Sequence, residues 1–591
     1  MSYRKIIFSE ESKIWIILGG MVLFLLNVVG LHQMMVPTIL HDEMGYWTNA
    51  AYFAGYNWSG ITSAFSYYSY GIGLVFSLFI RLTNDMLLVY KMVIALNVIL
   101  MVLMYLMSYK ICGTLFGNVP RNIKVLASVV SLCYPTYMMN IGIAWSEYYI
   151  LFMVWVNLYL LVELLQKQNT WKIILFGVSL CYLYMIHQRT VGVVAVGIFI
   201  IVYLFICKKI SIKNFIFFVC TIVFMLIIHK FIKNNIMQNL WSIGEAAETS
   251  NSNNDYAGRF YNMLYSFRNA GIKSLFRSIL GKLYYLVVAS GAVYIGSLIA
   301  GVNVIKRLIN RTTDFIADIP VLYAHLVVIS LFALTSIVSM EDGVSVTRTD
   351  ALLYGRYIEC ALGPLLMIGI IEFYQGKYSL KLFSIIATAF LVLSLIVVYI
   401  YETGTFAVFL ASCAGGVYQY YDLAGEYNFI FLGAKVTLCI LAGIFCFFKT
   451  KKSVYIICGF LIVLILYGSN GKYLNEKSRN YVQNNNHTMI KFAEHIDNVQ
   501  ENVPVYCIRG NLRYAYMSLE VVQFLLPDYK MAFLPDSDAE ELLEENFYLL
   551  VETVDTVNMD EYVQIDTVAN GWLVMVKKNS ELYTKVIERW G

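Results

Sequence analysis

Residues 13–43 read KIWIILGGMVLFLLNVVGLHQMMVPTILHDE. The run Ile14–Val36 holds no acid, lysine or arginine, and it is long enough to cross a hydrocarbon core, which takes about 20 apolar residues. Arg4, Lys5 and Lys13 precede it and no small-residue cleavage site follows, so an uncleaved signal anchor is expected. Pro37 ends the helix. The pair Asp42-Glu43 then stands just past the membrane on the far side, and the reading of the whole chain turns on what surrounds it.

The rest of the sequence repeats the apolar pattern. Of 591 residues, 59% are hydrophobic and 14% charged, against roughly 25% charged in soluble domains. About thirteen spans follow by hydropathy: 14–36, 86–108, 123–140, 148–166, 172–187, 190–207, 214–232, 282–304, 319–340, 357–374, 381–401, 429–448 and 453–469. Nothing alternates like a barrel strand, so the spans are helices that satisfy their own backbone groups. With the N-terminus in the cytoplasm, every inner loop carries at least two basic residues, among them Lys110, Arg121 and Lys124, then Lys208, Lys209 and Lys213, then Lys306, Arg307 and Arg311. The short outer loops are nearly bare of them, as the positive-inside rule requires. Net charge is only +4 and not gathered on one face, which argues against nucleic acid as a partner.

The expected fold class is an all-α polytopic membrane protein with a small α/β domain outside the membrane. Residues 1–468 form the membrane domain and 469–591 the polar extracytoplasmic one. The latter shows strand-like runs at Val503–Ile508, Tyr548–Glu552 and Trp572–Val576, and a helix-like stretch at Ala539–Glu545. The first outer loop, 37–84, is long and semi-embedded. Trp47, Ala50, Ala51, Ala54 and Trp58 follow helical spacing, which predicts an amphipathic helix lying in the interface. Tyr70–Leu82 is apolar but too short to span. Two more large outer loops are expected, Lys233–Gly281 and Glu402–Asn428. Most of the eleven cysteines fall in apolar runs; Cys413 and Cys507 lie outside and could pair.

Charged residues from distant segments map to the outer face. Besides Asp42-Glu43 there are Ser146-Glu147 heading the fourth span, His187-Gln188-Arg189 between the fifth and sixth, Lys91 near the outer end of the second, and Tyr354-Gly355-Arg356-Tyr357 opening the tenth. Each one alone reads as a helix-start charge or a snorkelling side chain. Together they read as the lining of a site. Carboxylates in such a site act as general bases towards hydroxyls, and cations beside them hold a phosphate. The aromatics Trp47, Trp58, Tyr67, Tyr68 and Tyr70 suit sugar faces, although an interfacial belt is the plainer reading of each. No H-E-x-x-H, P-loop or CxxC motif is present, and a divalent metal remains an open option at Asp42, Glu43 and Glu147.

The order of these elements resembles the GT-C superfamily of membrane glycosyltransferases, the group of protein O-mannosyltransferases and the aminoarabinose transferase acting on lipid A. The matching pieces are Asp42-Glu43, the short apolar Tyr70–Leu82, Ser146-Glu147, Gln188-Arg189-Thr190-Val191-Gly192, and Gly355-Arg356-Tyr357 with Pro364. Relatives often carry a proline pair before the short apolar segment, where this chain reads Tyr67-Tyr68-Ser69-Tyr70-Gly71. The resemblance implies a sugar donor on a polyprenyl phosphate, attacked with inversion by an acceptor hydroxyl on a glycan, lipid or protein, at the outer face of the plasma membrane. It makes Asp42 the catalytic base, with Glu43 and Glu147 assisting. Lys91, Arg189 and Arg356 would bind the carrier phosphate, and Tyr67, Tyr68, His187 and Tyr357 the substrates. Two other readings compete: a flippase or transporter for lipid-linked glycans, which calls for duplicated halves, and a polysaccharide polymerase or ligase, which has no need of Asp42.

Overall fold

A computed structural model of the chain describes residues 10–28, 31, 36–37, 40–64, 67–241, 256–339, 349–376, 379–404, 413–425, 428–447, 453–469, 488–499, 503–508, 515–534, 546–551, 560–568 and 572–590. The first helices are α1 (Glu10–Val28), α2 (Leu40–Ala54), α3 (Gly71–Ile80), α4 (Met86–Leu115), α5 (Arg121–Leu132), α6 (Pro135–Asn140) and α7 (Ser146–Gln166). There follow α8 (Thr170–Ile186), α9 (Val191–Ile206), α10 (Ile212–Asn239), α11 (Tyr256–Ala289), α12 (Val293–Ile309), α13 (Phe315–Val338) and the single turns α14 (Thr349–Leu352) and α15 (Arg356–Glu359). The helical part closes with α16 (Gly363–Gln375), α17 (Leu380–Glu402), α18 (Tyr418–Ala424), α19 (Phe429–Cys446) and α20 (Ser453–Ser469). Polar side chains at the chain reversals start many of these helices: Asp85, Asn169, Ser211, Asp314 and Ser379 each accept a backbone N–H of the first turn.

Among the described residues, seven helices are long and apolar enough to cross a membrane, or eight if one bent pair counts as a span. Their outward faces carry large apolar side chains in the open, such as Ile216, Phe224, Ile227 and Phe231 on α10. Such a surface needs lipid around it. The chain is an integral membrane protein.

Several expected spans are interrupted, each for a local reason. Residues 282–304 are the end of α11 and the start of α12, bent by 109° at Gly291 and Ala292, both with positive φ. Residues 123–140 break into α5 and α6 because Pro135 cannot continue a helix but can begin one. Residues 357–374 become α15 and then α16, with Pro364 in the first turn of the latter. Much of the expected loop Lys233–Gly281 is helix, since α10 runs on to Asn239 and α11 begins at Tyr256.

The first loop also differs from expectation. Its helix α2 is not interfacial: Glu43 to Ala51 are all buried, with α3 packed along one side. The aromatics Trp47, Trp58, Tyr67 and Tyr70 are at most 8% exposed and form core, not a belt. Trp47 packs on Phe76 of α3 at 4.6 Å between ring centres. The expected amphipathic spacing was one face of a helix that is covered on the others too. The short apolar segment is α3, as its length required.

After α20 the chain builds a five-stranded mixed sheet. Its strands are β1 (Val505–Ile508), β2 (Met531–Leu534), β3 (Tyr548–Val551), β4 (Tyr562–Thr567) and β5 (Leu573–Lys577), in the order β2-β1-β3-β5-β4. The helices here are residues 488–499, α21 (Ala515–Leu525) and α22 (Glu581–Trp590). β1 pairs in parallel with β2 and β3, and β5 lies antiparallel between β3 and β4. The three expected strands are β1, β3 and β5, while β2, β4 and α21 were not anticipated; the stretch Ala539–Glu545 lies outside the described residues. Cys413 and Cys507 are buried free thiols. This part rests on the first loop: Trp58 Nε1 donates to the Pro527 carbonyl at 3.0 Å, and Phe524 of α21 meets Trp47 edge-on at 5.0 Å.

Candidate active site

Asp42 and Glu43 fall in the first turn of α2, where the helix dipole favours acids, and Glu147 falls in the first turn of α7. The two acids of the pair turn opposite ways. Glu43 points inward and accepts from Tyr90 Oη and from the Ala144 amide, each at 2.9 Å. It is wholly buried and ties α2 to α4 and to the segment leading into α7. Asp42 points the other way. Tyr68 donates its hydroxyl to Asp42 Oδ1, and Arg356 Nη1 reaches Oδ2 at 2.6 Å. Gly45 makes the first contact possible, because a Cβ there would stand 2.1 Å from the Tyr68 ring.

Arg356 bridges two carboxylates. Its Nε lies 2.5 Å from Glu147 Oε1, and the same oxygen receives Arg189 Nη1 and Nη2 at 3.1 Å each. Asp42, Arg356, Glu147 and Arg189 thus form one continuous chain of alternating charge. Arg189 is presented by a single 3-10 turn, Gln188–Thr190, capped by His187 Nδ1, which accepts the Arg189 amide at 3.2 Å. Its guanidinium lies over the Tyr357 ring at 4.3 Å, and that of Arg356 over Trp145 at 4.2 Å. Burial opposes the charge on Arg356, but Asp42 and Glu147 more than offset it and drive its pKa up. Burial and the neighbouring Asp42 carboxylate likewise push the Tyr68 phenol up, so it stays a hydrogen-bond donor.

The sequence candidates therefore separate. Asp42, Glu147, Arg189, Arg356, Tyr68 and Tyr357 come together, with His187 behind them. Lys91 is exposed on α4 and outside the cluster, since its neighbour Tyr90 takes the inward face. Tyr67 stands off from the cluster, edge-on to Trp241 at 5.5 Å. Among the described residues no three His, Cys, Asp or Glu side chains could hold a metal. The donor set explains this, because Asp42 and Glu147 are taken by arginines and Glu43 by a tyrosine and an amide. Sequence reasoning missed Tyr46, Tyr90 and Trp145. Tyr46 sits one turn after Asp42, with its buried hydroxyl near Ser146, and the i, i+4 spacing was the available signal.

A separate set of ion pairs forms at the other end of α7. Lys110 and Lys172, from different loops, both hold Glu163 at 2.9 Å.

Neither family models nor curated proteins give a match to the sequence. Solved structures do. ArnT from Cupriavidus metallidurans in the apo state superposes over 96% of this chain and 98% of its own, with a TM-score of 0.50 at 12% identity. The fold is that of ArnT. A second ArnT structure from the same organism, bound to undecaprenyl phosphate, covers 95% of this chain and 97% of its own, with a TM-score of 0.50 at 11% identity. The likeness to ArnT is one of fold and runs along nearly the whole chain.

Proposed function

We propose that the protein transfers a sugar from a polyprenyl-phosphate-linked donor to an acceptor hydroxyl, inverting the anomeric centre, with Asp42 as general base. The observation that carries this reading is the exposure of the three acids. The Asp42 side chain is 22% exposed, while Glu147 is 1% and Glu43 is fully buried. Only Asp42 can meet an incoming hydroxyl, and it does so beside an arginine suited to a phosphate. The undecaprenyl phosphate bound by ArnT supports a carrier of that kind.

The hydrogen bonds distinguish the two Asp42 oxygens. Oδ1 is held by Tyr68, so Oδ2 is the atom that takes the acceptor proton. As that proton leaves, the acceptor oxygen attacks the anomeric carbon. The bond from that carbon to the phosphate oxygen breaks, and its electron pair stays on the phosphate. Charge growing there draws the Arg356 guanidinium from Oδ2, which frees the base as it is needed. Glu147, itself held by Arg189, holds Arg356 from behind. The basic residues of the alternate loops support a site on the outer face of the plasma membrane, with the N-terminus in the cytoplasm and residues 469–591 outside.

The test is transfer from radiolabelled polyprenyl-phosphate sugars to membrane acceptors, wild type against Asp42→Asn. A general base contributes about 10²–10⁴ in rate, and a loss of that size at unchanged abundance is expected. Full activity in the variant would refute the base, and no transfer from any donor by the folded wild type would refute the reaction class.

A further inference from the structure

Arg356 can bridge two acids only if the single turn that bears it is fixed. α15 is four residues long, too short to be stable alone. The chain holds it at both ends. At its start the Gly355 and Arg356 amides both donate to the Cys413 carbonyl, at 2.9 and 3.1 Å. At its end, one turn on from Arg356, the buried Glu359 puts one carboxylate oxygen among three hydroxyls. Tyr134 donates at 2.7 Å, Thr136 at 2.8 Å, and Tyr285 donates as well. The Gly416 amide in turn donates to the Tyr285 hydroxyl at 2.9 Å. So the segment from Cys413 to Gly416 grips α15 twice, directly at its start and through Tyr285 at its end. Gly355 belongs to the same fit, since a Cβ there would stand 2.0 Å from the Tyr285 ring.

We infer that Glu359 and Tyr285 are positioning residues for Arg356, forming with the Cys413–Gly416 segment a clasp that sets the guanidinium between Asp42 and Glu147. The importance of that placement to catalysis rests on the function proposed above; the clasp itself does not. Neither residue touches Asp42 or Glu147, and both lie in parts of the chain that the motif order left out. The second oxygen of Glu359 is buried without a partner among the described residues.

Two measurements on detergent-solubilised protein test the clasp, using Tyr285→Phe, which removes one hydroxyl and little volume. The control is Tyr284→Phe, whose hydroxyl serves the Ile430 carbonyl instead. The first measurement is hydrogen exchange of the peptide containing Gly355 and Arg356. Exchange about tenfold faster in Tyr285→Phe and unchanged in the control is expected from one lost buried bond; unchanged exchange overturns the inference. The second is binding of undecaprenyl phosphate. It should weaken about tenfold in Tyr285→Phe, and no further when Tyr285→Phe is added to Arg356→Lys. Equal losses in both backgrounds would mean that Tyr285 acts on the fold at large, and would also overturn it. Wild type that binds no polyprenyl phosphate, with exchange as expected, would remove the functional reading and leave the clasp standing.

Discussion

Glu147→Gln and Asp42→Asn should separate scaffold from chemistry at one site. Glu147 Oε1 takes Arg356 Nε at 2.5 Å and both Arg189 terminal nitrogens at 3.1 Å. The side chains are 1%, 11% and 5% exposed for Glu147, Arg356 and Arg189. Removing one member of a buried pair costs about 3–5 kcal/mol, because the charge left behind is neither solvated nor paired. The Gln amide oxygen still accepts a bond, so about 3 kcal/mol is expected, a large part of a typical stability of about 5–15 kcal/mol. Asp42 is the more exposed partner, and Arg356 keeps Glu147 when Asp42 is neutralised. A loss near 1 kcal/mol is expected there. Unfolding of solubilised protein followed at one fixed scan rate reads the difference, since an apparent midpoint depends on scan rate wherever unfolding is irreversible. Glu147→Gln should unfold several degrees below Asp42→Asn, while Asp42→Asn loses more of the transfer rate relative to folded protein. If Glu147→Gln unfolds with wild type, or Asp42→Asn unfolds first, the buried chain of charge is wrong as described.

Tyr68→Phe removes the donor on Asp42 Oδ1 and should lower transfer about tenfold or more, the worth of a hydrogen bond to a charged group, with little change in unfolding. Lys91→Ala should keep carrier binding and stability near wild type, within about 0.5 kcal/mol, whereas Arg356→Ala loses binding; titration with polyprenyl phosphate compares them. Phe524→Ala empties the space between Trp47 and Tyr90 at a cost of about 3–5 kcal/mol, seen as faster proteolytic release of the C-terminal residues.

The membrane class, α3, the three central strands and four members of the charged cluster, Asp42, Glu147, Arg189 and Arg356, were legible in the sequence. Each follows from local signals: run length, alternation, or acids and arginines beside helix ends. What was hidden depends on contacts between distant segments. Trp47 and Trp58 carry the same letters whether they face lipid or protein, and only α3, α4 and α21 packing around α2 decides it. Glu43 and Asp42 are adjacent and chemically alike, and the Tyr90 hydroxyl and Ala144 amide make one of them scaffold. Residues 282–304 are apolar throughout, so hydropathy could not register the turn at Gly291-Ala292. Glu359 lay in view three residues after Arg356, but its partners come from α6 and α11. β2 and β4 escaped notice because they are the two edge strands, less buried than the centre, and β4 is only partly buried along most of its length.

The bond from Trp58 to Pro527 spans 469 positions of sequence. The helix with the acid pair leaves the ribosome near the beginning of synthesis, and Phe524, which covers its Trp47, near the end. Through most of translation that helix waits with an indole uncovered. A polypeptide that stalls before residue 515 would keep it uncovered, giving chaperones and proteases a mark by which to tell unfinished copies from whole ones. Completion of the candidate site and passage through quality control would then begin with the same late docking event.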